Sequence, residues 1–364
     1  MALPEIIDRL VASPKFRRFS AGFLPFRPLA RHRSKVLFDL MAGFVHSQIL
    51  LACVRLDLPS LLLERPRRLS ELMGHTGLSE EAMTRLLKAA ISLGLVRRRR
   101  GDLYGLGPVG QDVANNAAAL AMIEHHVAFY ADMRDPIALL KREVPETALA
   151  AYWPYVGDRD GVTESVASDY STLMAQSQEG VAEEVLDDYS VKGRRHILDI
   201  GGGDGTFLSA VARRVSLDTK LTLFDLPQVA QAARHRLTAA GLADRIETVG
   251  GDFLETPLPG DADLITLIRV LFDHPDRIVA PLLKAIRAAI APDGALLIAE
   301  PVSETPGGER IADAYFSFYL LAMGEGQVRT KAHHTDLLKN AGFSKVRVVS
   351  CRMPHLVRLI EARP

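Results

Sequence analysis

The spacing of apolar positions changes near residue 192, and the change separates two kinds of structure. Residues 36–53 place apolar side chains three and four positions apart, which predicts an amphipathic helix. Residues 109–185 are also mostly helical by pattern. Beyond Lys192, short apolar runs alternate with amphipathic segments, and these runs are HILDI, LTLFDL, RIETVGGDF, DLITLIRV, ALLIAE and VRVVS. Strands that alternate with helices predict an α/β domain with a mainly parallel sheet covered on both faces.

Residues 67–106 have the pattern of a helix-turn-helix followed by a small hairpin. After a first short helix, Ser79 predicts the N-cap of a second one, and the stretch LVRRRRGDLYGLG predicts the hairpin, or wing. Winged helices bind DNA in many proteins, but this second helix offers only Thr84, Arg85 and Lys88 to read bases. The pattern therefore favours dimerisation and no nucleic-acid partner. A DNA-binding regulator stays a remote alternative.

The composition is that of a soluble globular chain. Its 364 residues carry 44 basic and 44 acidic side chains, so no net charge attracts the whole molecule to nucleic acid or anionic lipid. Cys53 and Cys351 lie far apart in the chain, outside any metal-binding or redox spacing, which predicts reduced thiols and a cytoplasmic protein. The longest apolar stretch, residues 40–53, falls short of the roughly 20 residues that span a bilayer. We expect no membrane-spanning helix.

Residues 1–35 form a basic and aromatic arm ahead of these helices. Between residues 14 and 35 the chain has seven Lys or Arg, four Phe and three Pro, which predicts an irregular segment. Two placements stay open: the phenylalanines pack on the domain or a partner subunit, or the arm lies on an anionic membrane surface. The predicted organisation is the arm, a helical winged-helix dimerisation and substrate-lid domain over residues 36–185, and the α/β domain over residues 186–364.

A glycine-rich loop, Gly201–Gly205, directly follows the predicted strand His196–Ile200 and precedes a predicted helix. Ligands bind at the carboxyl ends of the strands in such sheets, and glycines there let the backbone approach a ligand closely. The next strand ends at Asp225, 22 positions after the third glycine of the loop. A carboxylate at this spacing can accept hydrogen bonds from the ribose hydroxyls of an adenosine. The following strand end carries Asp252 and Phe253 for the adenine.

Negative charge at the loop favours a cationic cofactor. Asp199 and Asp204 would repel the phosphates of a dinucleotide, and the loop lacks the G-x-G-x-x-G pattern. The ammonium and sulfonium groups of S-adenosylmethionine suit such acids. We therefore predict a Rossmann-like domain that binds S-adenosylmethionine and releases S-adenosylhomocysteine. The strand ends carry no cluster of acids for a divalent cation, and no metal is predicted.

The motifs LDIGGGDG, FDLP, GGDF, RVLFDHPD and AEP, with an AGF segment near the end, resemble the methyltransferase family that includes the caffeic-acid-type and acetylserotonin-type O-methyltransferases. The family combines a Rossmann-like domain with an N-terminal winged-helix dimerisation domain, so the resemblance covers nearly the whole chain and implies a homodimer. It also implies contacts with S-adenosylmethionine at eight residues, namely Gly201, Gly203, Asp225, Leu226, Gly251, Asp252, Phe253 and Arg269.

Three further segments, FDLMAGFVHSQILLACV, IEHHVAFYADMRDPIALL and ALAAYWPYV, are most similar to the hydroxyneurosporene and demethylspheroidene O-methyltransferases of purple photosynthetic bacteria. This resemblance implies an apolar small-molecule acceptor, an acyclic carotenoid, methylated on its terminal tertiary hydroxyl. The enzyme would then work in the cytoplasm or at the inner face of the photosynthetic membrane.

One departure from the family affects the chemistry. The family's catalytic histidine, fourth in R-V-L-H-D-W, is Phe272 here, and one of the two acids that hold it is replaced by Val328. The C-methyltransferases of bacteriochlorophyll synthesis also lack that histidine and are the alternative assignment. The remaining catalytic candidates are the second acid and five histidines, namely Glu300, His125, His126, His274, His333 and His334.

Among these candidates, His125 and His126 are favoured because they lie in a segment that is similar to the carotenoid enzymes. His274 stands where the family has tryptophan and can instead stack beside the adenine. A tertiary alcohol is a poor acid, so a base would act during methyl transfer and not before it. The residues predicted to line the acceptor pocket are Tyr130, Tyr170, Met174 and Phe272.

Overall fold

The computed structural model describes residues 3–152, 178–354 and 357–364. Contacts between residues divide the chain into two compact units, Met1–Asn116 and Ala117–Pro364. The helices that follow residue 116 therefore belong to the same unit as the sheet. The predicted boundary between residues 185 and 186 falls within a helix of this second unit.

The N-terminal segment is helical and not irregular. Of the three prolines that indicated an irregular chain, Pro14 and Pro28 fall in the first turns of two helices and Pro25 in a 3-10 turn. At the start of a helix, a missing N–H costs no intrahelical hydrogen bond. Ser13 caps one of these helices by accepting a hydrogen bond from the N–H of Phe16. The elements are α1 (Leu3–Ala12), α2 (Pro14–Gly22), a 3-10 turn (Leu24–Phe26) and the long helix α3 (Arg27–Arg55).

One helical stretch in the described part of the chain, Leu24–Arg55, is long and apolar enough to cross a bilayer by length and composition alone. Only 11% of its most apolar window is buried within this chain. Core helices of soluble proteins and signal sequences meet the same criteria, so the finding is weak evidence for a membrane span.

The rest of the first unit is the predicted winged helix. Its elements are α4 (Leu58–Glu64), β1 (Arg67–Arg68), α5 (Leu69–Thr76), α6 (Glu80–Ser92), β2 (Val96–Arg98), β3 (Leu103–Leu106) and α7 (Pro108–Ala114), with the strands in the order β1-β3-β2. Ser79 caps α6 as predicted, by accepting from the N–H of Ala82. Arg85 on α6 pairs with Glu81, which commits one of the few side chains that a DNA-binding role would need.

The second unit begins with helices and continues as an α/β sheet. Its helices are α8 (Ala117–Asp132), α9 (Pro136–Leu140), α10 (Ala148–Tyr152), α11 (residues 178–188), α12 (Thr206–Ala212), α13 (Pro227–Ala239), α14 (Asp276–Ala289), α15 (Ser317–Met323) and α16 (Lys331–Asn340). Its strands are β4 (His196–Ile200), β5 (Lys220–Asp225), β6 (Glu247–Gly250), β7 (Ala262–Ile268), β8 (Ile290–Glu300), β9 (Lys345–Val349) and β10 (Arg358–Arg363).

These seven strands form one sheet in the order β6-β5-β4-β7-β8-β10-β9. The first five are parallel, and β10 pairs antiparallel with both β8 and β9. Alternate residues of β4 face opposite sides: Ile197 packs in one apolar cluster and Leu198 in the other. Both faces are thus buried, as predicted for a parallel sheet. This order brings the carboxyl ends of β6, β5, β4 and β7 side by side.

Candidate active site

The loop after β4 lets a ligand approach the backbone closely. Gly201, Gly203 and Gly205 have positive φ angles of 68°, 57° and 83°, a conformation that residues with a Cβ atom rarely adopt. A Cβ atom at Gly201 would lie 2.8 Å from Cγ2 of Val270, so the loop packs directly on the segment after β7. A Cβ atom at Gly203 would meet no atom within 4 Å. The backbone of Gly203 is therefore open to a bound molecule.

Two carboxyl groups, that of the buried Asp199 and that of the partly buried Asp225, lie beside this loop. Asp225 accepts a hydrogen bond on each oxygen, from the N–H of Gly203 at 2.8 Å and that of Leu226 at 2.7 Å, and each oxygen keeps a second lone pair. Asp199 accepts from the hydroxyl of Thr266 at 2.6 Å. Burial raises the pKa of Asp225 to about 6 and that of Asp199 to about 7. Donors on a hydroxylated or cationic ligand would stabilise both carboxylates.

Asp204, which the sequence suggested as a second counter-charge beside Asp199, is engaged elsewhere. Its Oδ1 accepts hydrogen bonds from the N–H and hydroxyl of Thr206 at the start of α12. Its Oδ2 lies 3.0 Å from Nε of Arg236. Asp199 and Asp225 are therefore the two acids beside the glycine-rich loop that remain for a hydroxylated or cationic ligand.

The loop after β6 joins the same edge. The N–H of Gly251 donates to the carbonyl of Asp225 at 2.8 Å, and Asp252 turns the chain by accepting from the backbone N–H two residues on. The ring of Phe253 meets the ring of His274 edge to face, with 5.5 Å between centroids. Burial lowers the pKa of His274, so its imidazole is neutral at pH 7. An uncharged aromatic pair of this kind suits a purine.

The segment Arg269–His274 follows β7 and contains Phe272. The backbone of Arg269 is left-handed, with φ of 58°, and its N–H donates to the carbonyl of Ala299 at 2.8 Å. The guanidinium of Arg269 lies over the rings of Phe272 and Phe316, 5.6 Å and 5.4 Å from their centroids, which is a cation–π geometry. A buried phenyl ring thus stands where the family has an imidazole.

Glu300 supports backbone at this site and holds no histidine of the β7 loop. It is fully buried at the end of β8, and its Oε2 accepts from the N–H of Phe272 at 3.1 Å. Its Oε1 faces Nε2 of His334 at 3.2 Å. The neighbouring candidate, His333, bonds instead to the carboxylate of Asp276 at 2.7 Å. The acid that holds the base in the family is therefore next to a different histidine here.

Arg329 is a residue of this site that the sequence analysis missed. Its side chain is buried, and its guanidinium donates to the carbonyl of Leu271 at 2.7 Å and that of His274 at 2.6 Å. Its Nε donates to Asp276 at 2.8 Å. These bonds fix both ends of the turn that contains Phe272. In the sequence, the only signal was its place beside Val328, the position of the missing acid.

His125 and His126 on α8 each bond a tyrosine. The Nε2 of His125 lies 2.7 Å from the hydroxyl of Tyr319, and that of His126 lies 2.8 Å from the hydroxyl of Tyr315. The tyrosines belong to a π-helix, Arg310–Phe316, and to α15, which continues it; π-helical turns are frequent at functional sites. Burial lowers the pKa of both histidines, and that of His125 falls to about 4. Both imidazoles are therefore neutral at pH 7.

Aromatic rings connect these pairs to Phe272. Tyr130 lies 6.1 Å from His126 between ring centroids, and Tyr315 contacts Phe316 at 5.0 Å. Phe316 in turn meets Phe272 edge to face at 5.8 Å. Four predicted residues, namely His125, His126, Tyr130 and Phe272, are thus brought into one aromatic cluster. Tyr315 and Tyr319 were missed, although their i, i+4 spacing was visible in the sequence.

Two predicted pocket residues, Tyr170 and Met174, lie outside the residues that the structure describes. Their part in the acceptor pocket stays a prediction. Within the described ranges, no three His, Cys, Asp or Glu side chains are grouped so that they could hold a metal ion.

Comparison with known families identifies both parts of the chain. Residues 131–344 match the model of the O-methyltransferase domain, and residues 38–115 match that of the O-methyltransferase dimerisation domain. The dimerisation match supports a homodimer.

Curated relatives extend over the whole chain. The chain is 41% identical to demethylspheroidene O-methyltransferase of Cereibacter sphaeroides, over 100% of this chain and 95% of the relative. It is 38% identical to demethylspheroidene O-methyltransferase of Rhodobacter capsulatus, over 92% of this chain and 83% of the relative.

Among solved structures, human N-acetylserotonin methyltransferase in complex with S-adenosylmethionine has the same fold, with a TM-score of 0.70 and 24% identity over 91% of this chain and 97% of that one. The predicted fold, an α/β methyltransferase domain preceded by a helical dimerisation domain, is confirmed. The family model, the full-length relatives and the sheet with its glycine-rich loop agree, and the chain belongs to the O-methyltransferase family.

Proposed function

We propose that the protein methylates the terminal tertiary hydroxyl of an acyclic hydroxycarotenoid. The observation that carries the proposal is the 41% identity, over the full length of this chain, to an enzyme named for methylating demethylspheroidene. The aromatic cluster around Phe272 supports it, since an apolar wall suits a polyene better than a polar acceptor.

S-adenosylmethionine is the methyl donor of this O-methyltransferase, and it supplies a methyl group on a positively charged sulfur. The residues present fit it, because the backbone at Gly203 is open and the carboxylate of Asp225 keeps one lone pair on each oxygen for ribose hydroxyls. We assign the adenine to Phe253 and His274, and the positive charge to Asp199. The neighbouring residues assigned to the same donor are Gly201, Leu226, Gly251, Asp252 and Arg269.

Positioning of the acceptor is the larger part of catalysis in this mechanism. Holding the acceptor oxygen about 3 to 3.5 Å from the methyl carbon can lower the barrier by roughly 7 to 11 kcal/mol. A general base contributes about 100- to 10,000-fold, which is roughly 3 to 5 kcal/mol. Loss of the family's histidine therefore removes the smaller contribution.

The His126–Tyr315 pair is a polar site within the aromatic wall. With a neutral imidazole protonated on Nε2, His126 can donate to the phenol oxygen of Tyr315, and the phenol can then donate its own proton to another oxygen. An acceptor hydroxyl can accept that hydrogen bond on one lone pair and be oriented by it, while its own proton stays free to leave. Burial raises the pKa of Tyr315 well above its usual value, so the phenol keeps its proton. We assign this pair to positioning of the acceptor.

The acceptor assignment is tested with labelled S-adenosylmethionine and two classes of pigment. We expect label on a hydroxylated acyclic carotenoid as an ether, and none on a bacteriochlorophyll-type tetrapyrrole. Label on a tetrapyrrole carbon alone would replace the proposal with the C-methyltransferase alternative. Omission of the protein is the control for spontaneous methylation.

We also propose that the arm of residues 14–35 rests on an anionic membrane, where a polyene acceptor is dissolved. Phe19, Phe23 and Leu24 are exposed and apolar, and the phenylalanine rings contact one another at 5.3 Å. No acidic residue occurs between Asp8 and Asp39, while the arm has seven basic ones. Apolar side chains among basic ones suit an anionic lipid surface.

Co-sedimentation with vesicles tests the arm. We expect the dimer to bind vesicles that contain phosphatidylglycerol more strongly than vesicles of phosphatidylcholine alone. The double variant Phe23→Ser, Leu24→Ser should weaken this binding on the order of tenfold or more, because two apolar side chains lose their burial. Leu217→Ser, a change at an exposed leucine of the other unit, is the matched control. Equal binding to both lipids, or an unaffected double variant, would refute the membrane contact.

A further inference from the structure

Asp273 is the aspartate of the family motif R-V-L-H-D-W, and in this chain the histidine that precedes it is absent. It ends the 3-10 turn Leu271–Asp273 after β7. The residue is partly exposed as a whole, but its Oδ1 atom is buried and has no hydrogen-bond partner among the described residues. Native proteins satisfy nearly all such atoms, and a buried unpaired carboxyl oxygen destabilises the fold unless it has another use.

Three other buried or partly buried acids of the same unit accept hydrogen bonds. Asp132 accepts from two backbone N–H groups of α10, and Asp225 also accepts from two. Asp199 accepts from a threonine hydroxyl. Two other buried carboxyl oxygens, Oδ2 of Asp204 and Oε1 of Glu300, have no hydrogen bond either, but each lies within 3.2 Å of a basic side chain, Arg236 and His334 respectively. Among the described residues, Oδ1 of Asp273 has neither a hydrogen bond nor an ion pair, and such an exception calls for a functional explanation.

The turn that contains Asp273 lies beside both the loop assigned to the donor and the aromatic wall assigned to the acceptor. Its loop packs on the donor loop, since Val270 contacts Gly201. Its immediate neighbour is Phe272, which lies in the aromatic wall. The carboxyl group stands one residue from the position of the family's base, on a turn whose backbone is held by Arg329 and Glu300. The turn thus lies between the loop assigned to the donor and the aromatic wall assigned to the acceptor, and protein contacts alone hold its backbone in place.

We infer that Asp273 is the catalytic base of this enzyme and that its Oδ1 accepts the proton of the acceptor hydroxyl during methyl transfer. The inference rests on the proposed methylation of a hydroxyl group. In the step, the acceptor oxygen forms a bond to the methyl carbon as the bond from sulfur to that carbon breaks, and its electron pair stays on sulfur. The hydroxyl proton moves to the carboxylate of Asp273, which later returns it to solvent.

The surroundings of Asp273 set the pH range in which it can work. The pKa of Asp273 is raised to about 8, mainly by burial, because the lowering by the positive charge of Arg269 and the raising by the negative charge of Glu300 are smaller effects. On the facing segment, the charge of Arg329 is directed at two carbonyls and Asp276, and the adjacent His274 is neutral. In the free protein at pH 7 Asp273 is therefore mostly protonated. A bound sulfonium lowers its pKa, so binding of the donor releases the proton and produces the carboxylate.

Two measurements on the full-length dimer test this inference. In the first, kcat with the hydroxycarotenoid should rise with pH to a plateau at or below about pH 8, because the carboxylate is the active form. Asp273→Asn should lower kcat by about 100- to 10,000-fold, with little change in KM, and should abolish the rising limb. His126→Gln, the matched control in the positioning pair, should keep that limb.

The second measurement needs no acceptor. Calorimetry of S-adenosylmethionine binding at pH 7, in buffers of different ionisation enthalpy, should show that Asp273→Asn releases fewer protons than the wild type, by up to about one. If the asparagine variant does not fold, Asp273→Glu, which keeps a carboxyl group, should retain both the limb and the release. Equal proton release by the wild type and Asp273→Asn overturns the inference, as does a variant that keeps the rising limb or most of kcat. A wild type that releases the proton but leaves the carotenoid unmethylated overturns the acceptor assignment instead.

Discussion

Replacing Asp225 by alanine is expected to weaken the binding of S-adenosylmethionine by about 100-fold or more. Two hydrogen bonds to a charged acceptor are lost, each contributing roughly 1.5 to 3 kcal/mol. The N–H groups of Gly203 and Leu226, which now donate to that carboxylate, lose their partner as well, so the glycine-rich loop loses its fixed position. Isothermal titration calorimetry with S-adenosylmethionine and S-adenosylhomocysteine measures the effect.

A matched control for this variant is Asp218→Ala, an exposed acid that precedes β5, whereas Asp225 ends it. We expect its affinity to equal that of the wild type. Acid should also weaken binding to the wild type as the pH falls through 7 and 6, because Asp199 and Asp225 take up protons there. Unchanged affinity in Asp225→Ala would show that S-adenosylmethionine does not bind at this edge of the sheet.

Replacing Arg329 by methionine is expected to reduce both stability and turnover. The side chain is 1% exposed and makes three charged hydrogen bonds, so its loss should lower the free energy of unfolding by about 3 kcal/mol. The turn that contains Phe272 and Asp273 would then shift, and a displacement of about 1 Å can lower kcat on the order of 100-fold. Urea denaturation and steady-state turnover measure the two effects.

Arg277→Met is the comparison for this variant. Arg277 lies near the same turn but is exposed and pairs with Glu325 at the surface, where an ion pair contributes about 0 to 1 kcal/mol. We expect this variant to unfold and to turn over as the wild type does. If Arg329→Met were as stable as the wild type, the three hydrogen bonds of Arg329 would not be what holds the turn.

The sheet and the donor edge could be predicted because their signals are local. Apolar strands between amphipathic helices indicated the parallel sheet, and a glycine-rich loop with Asp225 at a fixed spacing indicated an adenosine. Each of these depends on a few residues that are close in sequence. The family and the fold could be predicted for the same reason, and both predictions were confirmed.

The acceptor side was harder to predict, because it is assembled from distant segments. His126 and Tyr315 are 189 positions apart, and Arg329 bonds carbonyls 55 and 58 positions away. Periodicity has no information about such pairs, and a buried arginine looks in sequence like a solvated one. The helical arm was missed for a different reason, since proline at a first helical position resembles proline in a loop.

The hydrogen bonds described above hold the turn after β7 through its main-chain atoms. Glu300 binds the N–H of Phe272, the N–H of Gln327 binds its carbonyl, and Arg329 binds the carbonyls on either side. None of these bonds requires a particular side chain at position 272. The residue at position 272 can therefore change from histidine to phenylalanine while these hydrogen bonds are kept. In a search for variants that methylate new acceptors, the protein should tolerate substitutions at position 272 far better than at Glu300 or Arg329.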